Sequence, residues 1–212
     1  VVLQTGVSTG ASAVSGSVQV TTAAGSSSGD FTVSTGSSST SASGLISLET
    51  GSSVDSEAGA IEVLVGASGS GDGSSVVAVS GASRDAVGGD VVLHTGAGEQ
   101  RSGDLRLATA LNELGGASGA VTVASGATIA ERSGYVTVTT GDSLESSAGV
   151  IQVAAGQGLS GVGAQLLVSA GASETGDGGA LQLTSGASVV GTSGVATLTS
   201  GSSVTDSGRL TL

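Results

Sequence analysis

The chain contains no cysteine, methionine, tryptophan, proline or lysine, and its aromatic residues are Phe31 and Tyr135 alone. Without cysteine there are neither disulfides nor thiolate metal ligands, and the redox compartment stays open. Without large aromatics there is nothing to fill a wide interior, because Phe and Trp supply most of the area such cores bury. A chain packed from these residues has a thin interior or none. Positive charge is scarce as well: five arginines (Arg84, Arg101, Arg106, Arg132, Arg209) stand against 17 acids, for a net charge of −12. Nucleic acid and anionic membranes demand basic patches, so neither is expected as a partner. No run reaches the roughly eighteen apolar residues of a membrane span, so membrane insertion is not expected either. No signal peptide is visible and the sequence starts at Val1 rather than at methionine, so it reads as a processed or excerpted piece.

What the chain does have is glycine, 39 residues of it, with abundant serine and threonine. Such a composition also marks flexible linkers. Against disorder stands the apolar content of 38%, mostly Val, Leu, Ile and Ala at regular places. Disordered chains lack the apolar surface that offsets ordering entropy, and this chain does not.

That regularity is a repeat. The first apolar residue of each block falls at Val1, Val18, Phe31, Ile46, Ile61, Val76, Val91, Leu105, Val121, Val136, Ile151, Leu166, Leu181, Ala196 and Leu210. The spacings are 17, 13, 15, 15, 15, 15, 14, 16, 15, 15, 15, 15, 15 and 14, so blocks of about fifteen residues fill residues 1–212 without a linker. Blocks such as "AIEVLVG", "YVTVTTG", "VIQVAAG" and "ALQLTSG" alternate apolar and polar residues with period two, which predicts a strand with its branched residues on one face. A glycine follows at Gly36, Gly51, Gly66, Gly81, Gly96, Gly126, Gly141, Gly156, Gly171, Gly186 and Gly201, suited to a tight corner or a positive φ. A second glycine, such as Gly44, Gly59, Gly134, Gly149 or Gly194, ends the polar segment. Helix is excluded by the apolar spacing and the density of glycine.

Strands recurring at short intervals without crossover helices predict an all-β fold, a parallel β-solenoid or β-helix in which each coil covers its neighbours. Val18, Phe31, Ile46, Ile61, Val76, Val91, Leu105, Val121, Val136, Ile151, Leu166 and Leu181 would then form its ladder. An antiparallel meander is the rival, although it would use two-residue Asn-Gly turns that the sequence lacks. Irregular spacings restore thirty in pairs, and acids concentrate in alternate loops (Asp55, Glu57, Asp85, Glu113, Asp142, Glu145, Glu174, Asp177, Asp206). Both features favour two blocks per coil. At about 4.8 Å per coil this gives a rod of about 34 Å, against about 67 Å for one block per coil. Val1-Val2-Leu3 and Leu210-Thr211-Leu212 are both in mid-pattern, without caps. Open edges of that kind template further pairing, so an excerpt of a longer array or end-to-end joining of copies is expected.

Few residues suggest chemistry. His94 is the one histidine, and no nucleophile or carboxylate recurs beside it to make a catalytic pair. The dispersed arginines and missing aromatics also argue against a carbohydrate-cleaving face, and no enzyme is expected. Calcium is the one cofactor the sequence suggests. "GSGDGSS" around Asp72 and "TGDGGALQL" around Asp177 partly match the Gly-Gly-x-Gly-x-Asp nonapeptide, but that motif shares ions between tandem turns and these two stand far apart. Outward Thr-x-Thr pairs in every coil would suit ice binding. Only Thr137/Thr139 and Thr197/Thr199 qualify, with Glu49, Glu62 and Arg106 among the interruptions. Threonine is in any case favourable on an exposed strand. Serine and threonine permit O-glycans, whereas the single asparagine, Asn112, precedes Glu113-Leu114 and makes no N-glycosylation site.

The recurring G-[AS]-S-x-x-x-x-S-G-x-V-x-V-x-[ST]-G resembles the Gly/Ser/Thr/Val repeats of very large extracellular proteins of algae and related protists. More loosely it resembles the stalks of bacterial surface adhesins. The resemblance covers the whole chain through composition and period, and it carries no functional residue. It implies an extracellular or cell-surface location and a structural or adhesive role: a filament building block whose partner is another copy of itself, or a stalk presenting a binding domain elsewhere.

Overall fold

Glycine- and serine-rich segments are cheap to close on themselves, because the entropy lost on joining two chain ends is smallest for short loops. In the computed structural model, which describes residues 1–9 and 14–211, this local closure is what the repeat builds. The last residue of the expected terminal strand, Leu212, lies outside the described residues. Sharp bends fall at 25–27, 39–41, 54–56, 69–71, 84–86, 99–100, 113–116, 129–131, 144–146, 159–161, 174–176, 189–191 and 204–205. The period of the sequence is thus a period of the backbone. By internal contacts the chain divides into two units, Val1–Leu105 and Arg106–Leu212.

In the first unit, residues 80–89 give the anatomy of a loop. The Ser83 Oγ accepts a hydrogen bond from the Ala86 N–H at 3.1 Å, which fixes the bend at 84–86. Serine and threonine make such local turns because the hydroxyl sits close enough to reach the backbone a few residues on. The Gly89 N–H then donates to the Gly81 carbonyl at 2.9 Å and closes the loop. The hydroxyl bond recurs from Ser41 to Ser38 at 3.1 Å, from Ser56 to Ser53 at 3.2 Å and from Gly71 to Ser68 at 3.1 Å. The second unit repeats it from Glu131 to Thr128 at 3.4 Å, from Ser146 to Ser143 at 3.1 Å, from Gly176 to Ser173 at 2.9 Å and from Gly191 to Ser188 at 2.8 Å. Its closing backbone bonds run from Ala164 to Gly156, Gly179 to Gly171 and Gly194 to Gly186. In these eight repeats the hydroxyl stands two residues after the first glycine and the bonded N–H three residues later.

The glycine at the far end of the loop lies against the residue that precedes the loop. At Gly44 an added Cβ would stand 3.2 Å from both Cβ and Cγ2 of Thr35, whose Oγ1 donates to the Gly44 carbonyl at 3.2 Å. The eleven glycines that open the loops, Gly36 to Gly201, face open space, with no heavy atom within 4 Å of an added Cβ. Among the described residues a left-handed φ occurs at Gly115 alone, at +84°.

Among the loops between Gly36 and Gly191 three depart from the pattern, and in the loop after Gly201 the Thr205 N–H reaches the Ser203 hydroxyl only two residues back. Gly98 and Gly158 occupy the hydroxyl's place after Gly96 and Gly156. An added Cβ at Gly98 would run into the Arg101 carbonyl oxygen, and one at Gly158 would stand 3.0 Å from that of Val162, so a carbonyl fills the room a serine uses elsewhere. The third loop is held by Asn112: its Oδ1 accepts from the Leu114 N–H at 3.1 Å and its Nδ2 donates to the Ala117 carbonyl at 3.3 Å.

The expected all-β fold, a parallel β-solenoid or β-helix, is overturned: no described residue belongs to a strand or a helix. A solenoid needs backbone bonds from coil to coil. The closing bonds here stay inside single loops, and the side-chain bonds of the described residues span nine residues or fewer. The twelve ladder positions, Val18 to Leu181, retain 47–64% of their surface, and no described residue is buried. The apolar residues Val54, Leu144, Val189 and Val204 of the bends retain 95–105%. The period-two pattern therefore half-shields one side chain per block and goes no further. Short aliphatics bring too little area to offset the ordering of long-range pairs when each glycine-rich loop adds its own entropy cost. Total accessible surface is 21165 Å². A folded protein of this mass exposes about 8,500 Å² and an unfolded chain about 28,000 Å².

Three outcomes follow. In dilute solution the far-ultraviolet circular dichroism spectrum carries neither helix nor sheet bands, and a sheet spectrum from monomeric chain would overturn this architecture. Ser83→Ala speeds amide hydrogen exchange at Ala86 about threefold, the equivalent of one modest hydrogen bond. Gly44→Ala breaks the Thr35 contact and shifts the Thr35 resonances, while Gly36→Ala leaves them in place.

Candidate functional surface

Among the described residues there is no pocket, and no three His, Asp or Glu side chains gather where a metal ion could sit. Functional chemistry has to be sought on an open surface whose elements are the loops and the segments between them.

Asp72 and Asp177 occupy the same place in the repeat, the first residue after the bends at 69–71 and 174–176. Both are exposed. The hydroxyl before each bend, Ser68 or Ser173, is already the acceptor of a loop N–H. A hard cation needs several oxygens converging on one point, and neither aspartate belongs to a group of three acids. The two lie in different units of the chain.

His94 is exposed on the segment between the loops that begin at Gly81 and Gly96. Of the acids near it in sequence, Asp104 is engaged by Arg101, whose Nη2 donates to Oδ2 at 2.8 Å. That ion pair is itself about three-quarters exposed on both sides, and pairs so hydrated contribute little to stability. Thr137, Thr139, Thr197 and Thr199 are likewise exposed.

The structure assigns specific work to residues that composition alone leaves anonymous. Ser38, Ser53, Ser68, Ser83, Thr128, Ser143, Ser173 and Ser188 are the loop-holding hydroxyls, and Asn112 replaces them once. The signal lay in the G-[AS]-S element, where a hydroxyl regularly precedes the variable residues. A serine three residues before a free N–H is a recognised turn former. What remains for function is a surface with two alternating components: half-shielded aliphatics on the segments, and closed hydroxyl-bearing loops between them.

The hydroxyl's role gives a further expected outcome. Replacing Gly98 by serine collides with the Arg101 carbonyl and disorders the bend at 99–100, so the spread of amide exchange rates across residues 97–103 collapses towards random-coil values. Gly126→Ser, at a site with open space, leaves its loop unchanged in the same measurement.

Comparison with profiles of known protein families, with curated proteins and with solved structures finds no match to this chain.

Proposed function

We infer that the chain is a non-enzymatic structural segment of an extracellular filament or surface fibre, working by association with copies of itself. The observation that carries this reading is the set of ladder positions. They recur every fifteen residues or so, keep about half of their surface exposed, and find no buried core among the described residues. Apolar side chains in such numbers gain free energy when a neighbour covers them, in proportion to the area removed from water. A repeated segment supplies that neighbour most simply as another copy.

Net charge sets the opposing term. At −12 and with a single close ion pair among the described residues, copies repel one another at neutral pH and low salt. An extracellular setting suits the absence of lysine and the scarcity of arginine and aromatics, which leave common proteases few places to cut.

Sedimentation velocity with negative-stain microscopy tests the reading. Association strengthens as salt rises, because screening lengths shrink to about 8 Å at physiological ionic strength. It strengthens too as pH falls towards the isoelectric point near 4.1, where the net charge vanishes. A chain that stays monomeric at high salt and at that pH would sink the proposal. A triple variant, Ile46→Ser with Ile61→Ser and Ile151→Ser, loses about 1 kcal/mol of apolar gain per site. Its association weakens by about two orders of magnitude. Serine at Val54, Val189 and Val204, in the bends, weakens it far less.

A further inference from the structure

We propose that copies of this chain associate side by side in many staggers rather than in one register, each stagger being a multiple of fifteen residues, with the apolar stretches of one copy covered by the apolar stretches of the next. The inference deepens the self-association proposed for the chain and rests on it.

Area is sufficient. Full burial of an aliphatic side chain at 25 cal/mol per Å² corresponds to about 60–120 Å². The first unit carries seven ladder positions that are about half exposed, and Val20, Val33, Leu48, Val63, Val79 and Leu93 beside them at 62–84%. Together these present roughly 700 Å², near the roughly 800 Å² per partner of a stable interface. One unit alone therefore offers most of what a specific dimer needs.

Spacing identifies the occupant. A covering surface has to bring apolar groups at the same fifteen-residue interval and leave room for a closed loop between them. A second copy has both features. It also needs no basic or aromatic anchor, of which this chain has almost none.

Equivalence of the repeats removes the register. Loops at Ser53, Ser68, Ser83, Ser143, Ser173 and Ser188 close through the same hydroxyl-to-N–H bond at 2.8–3.2 Å. Unique registers are normally fixed by an outsized or polar residue at one position of a repeat. The ladder offers only Phe31 and the displaced Val18 and Leu105: Val18 sits 13 residues before Phe31, and Leu105 sits 14 residues after Val91 and 16 before Val121. Shifting a copy by fifteen residues thus changes the number of repeats in contact while hardly changing the contact made by each. Growth continues from the overhang that every stagger leaves.

The full chain is free of cysteine, so introduced thiols are unique reporters. Val76→Cys, Val91→Cys, Val121→Cys and Val136→Cys place one thiol each at a ladder position, and Val87→Cys places one just after the bend at 84–86. Mass-labelled pairs are mixed at a salt concentration where the parent chain associates, mildly oxidised, and the mixed disulfides counted by mass spectrometry. Val76→Cys pairs with Val91→Cys, Val121→Cys and Val136→Cys in comparable yield. Its yield with Val87→Cys is at most about a tenth of that, because a disulfide requires Cα atoms within about 7 Å. One ladder pair dominating the others overturns the staggered arrangement and leaves self-association standing. Equal yields for Val87→Cys and the ladder partners overturn the apolar contact itself. Mixed disulfides no more abundant than in a dilute monomeric control, with monomers in sedimentation of the parent chain, overturn both this inference and the reading on which it rests.

Discussion

A single short hydrogen bond sets the character of this molecule: the backbone N–H that each loop gives to a serine or threonine hydroxyl three residues behind it. In the loop that begins at Gly81 it is Ala86 to Ser83, and its counterparts reappear through both units. The bond satisfies one backbone donor without any partner from elsewhere in the chain. Together with the glycine-to-glycine closure it turns nine residues back on themselves. Backbone groups used in this way are not available to a neighbouring coil, and the loops are therefore complete before any long-range contact is made.

The apolar residues bear the consequence. Val, Leu and Ile sit on the segments between loops, where the alternation half-shields one position in each block and leaves its neighbours more open. In a protein with larger side chains such segments would converge on a core. Here the aliphatics are short, aromatics number two, and every repeat spends most of its residues on glycine and polar loop. The resulting surface is neither that of a globule nor that of a polar linker: it is apolar at regular intervals and acidic between them. Attraction between copies and repulsion between their charges are both properties of the repeat, which is why ionic strength has leverage over assembly.

Much of this was legible in the sequence, at one level and not at the next. The fifteen-residue period, the position of each segment and the place of each loop are plain from the spacing of Phe31, Ile46, Ile61 and their successors, and the backbone bends keep that period. The step from period to solenoid does not hold, because alternation reports which residues could share a face and says nothing of whether burial suffices to draw coils together. The opening glycines, read as corners, meet open space, whereas Gly44 at the far end lies against Thr35. Sequence shows that both are glycine; only the loop geometry shows which one lies against a side chain. Asp72 and Asp177 share a register position, yet a calcium site is a matter of convergence in space, which linear spacing does not report. Asn112 stood out as the one asparagine, and its two-sided grip on Leu114 and Ala117 is visible only once the chain is folded.

Loops closed by their own residues have a bearing on how such a chain changes over generations. Excising fifteen residues, from Gly171 to Ser185 for example, removes one complete loop with its hydroxyl and joins Ala170 directly to Gly186, the opening glycine of the next. The bonds of the following loop, Gly194 to Gly186 and Gly191 to Ser188, are not broken, since both partners of each stay together. Duplication is equally silent. Slippage during copying of the underlying gene would therefore lengthen or shorten the protein in whole steps without a folding penalty, and length becomes a quantity that selection can adjust independently of every other property of the chain.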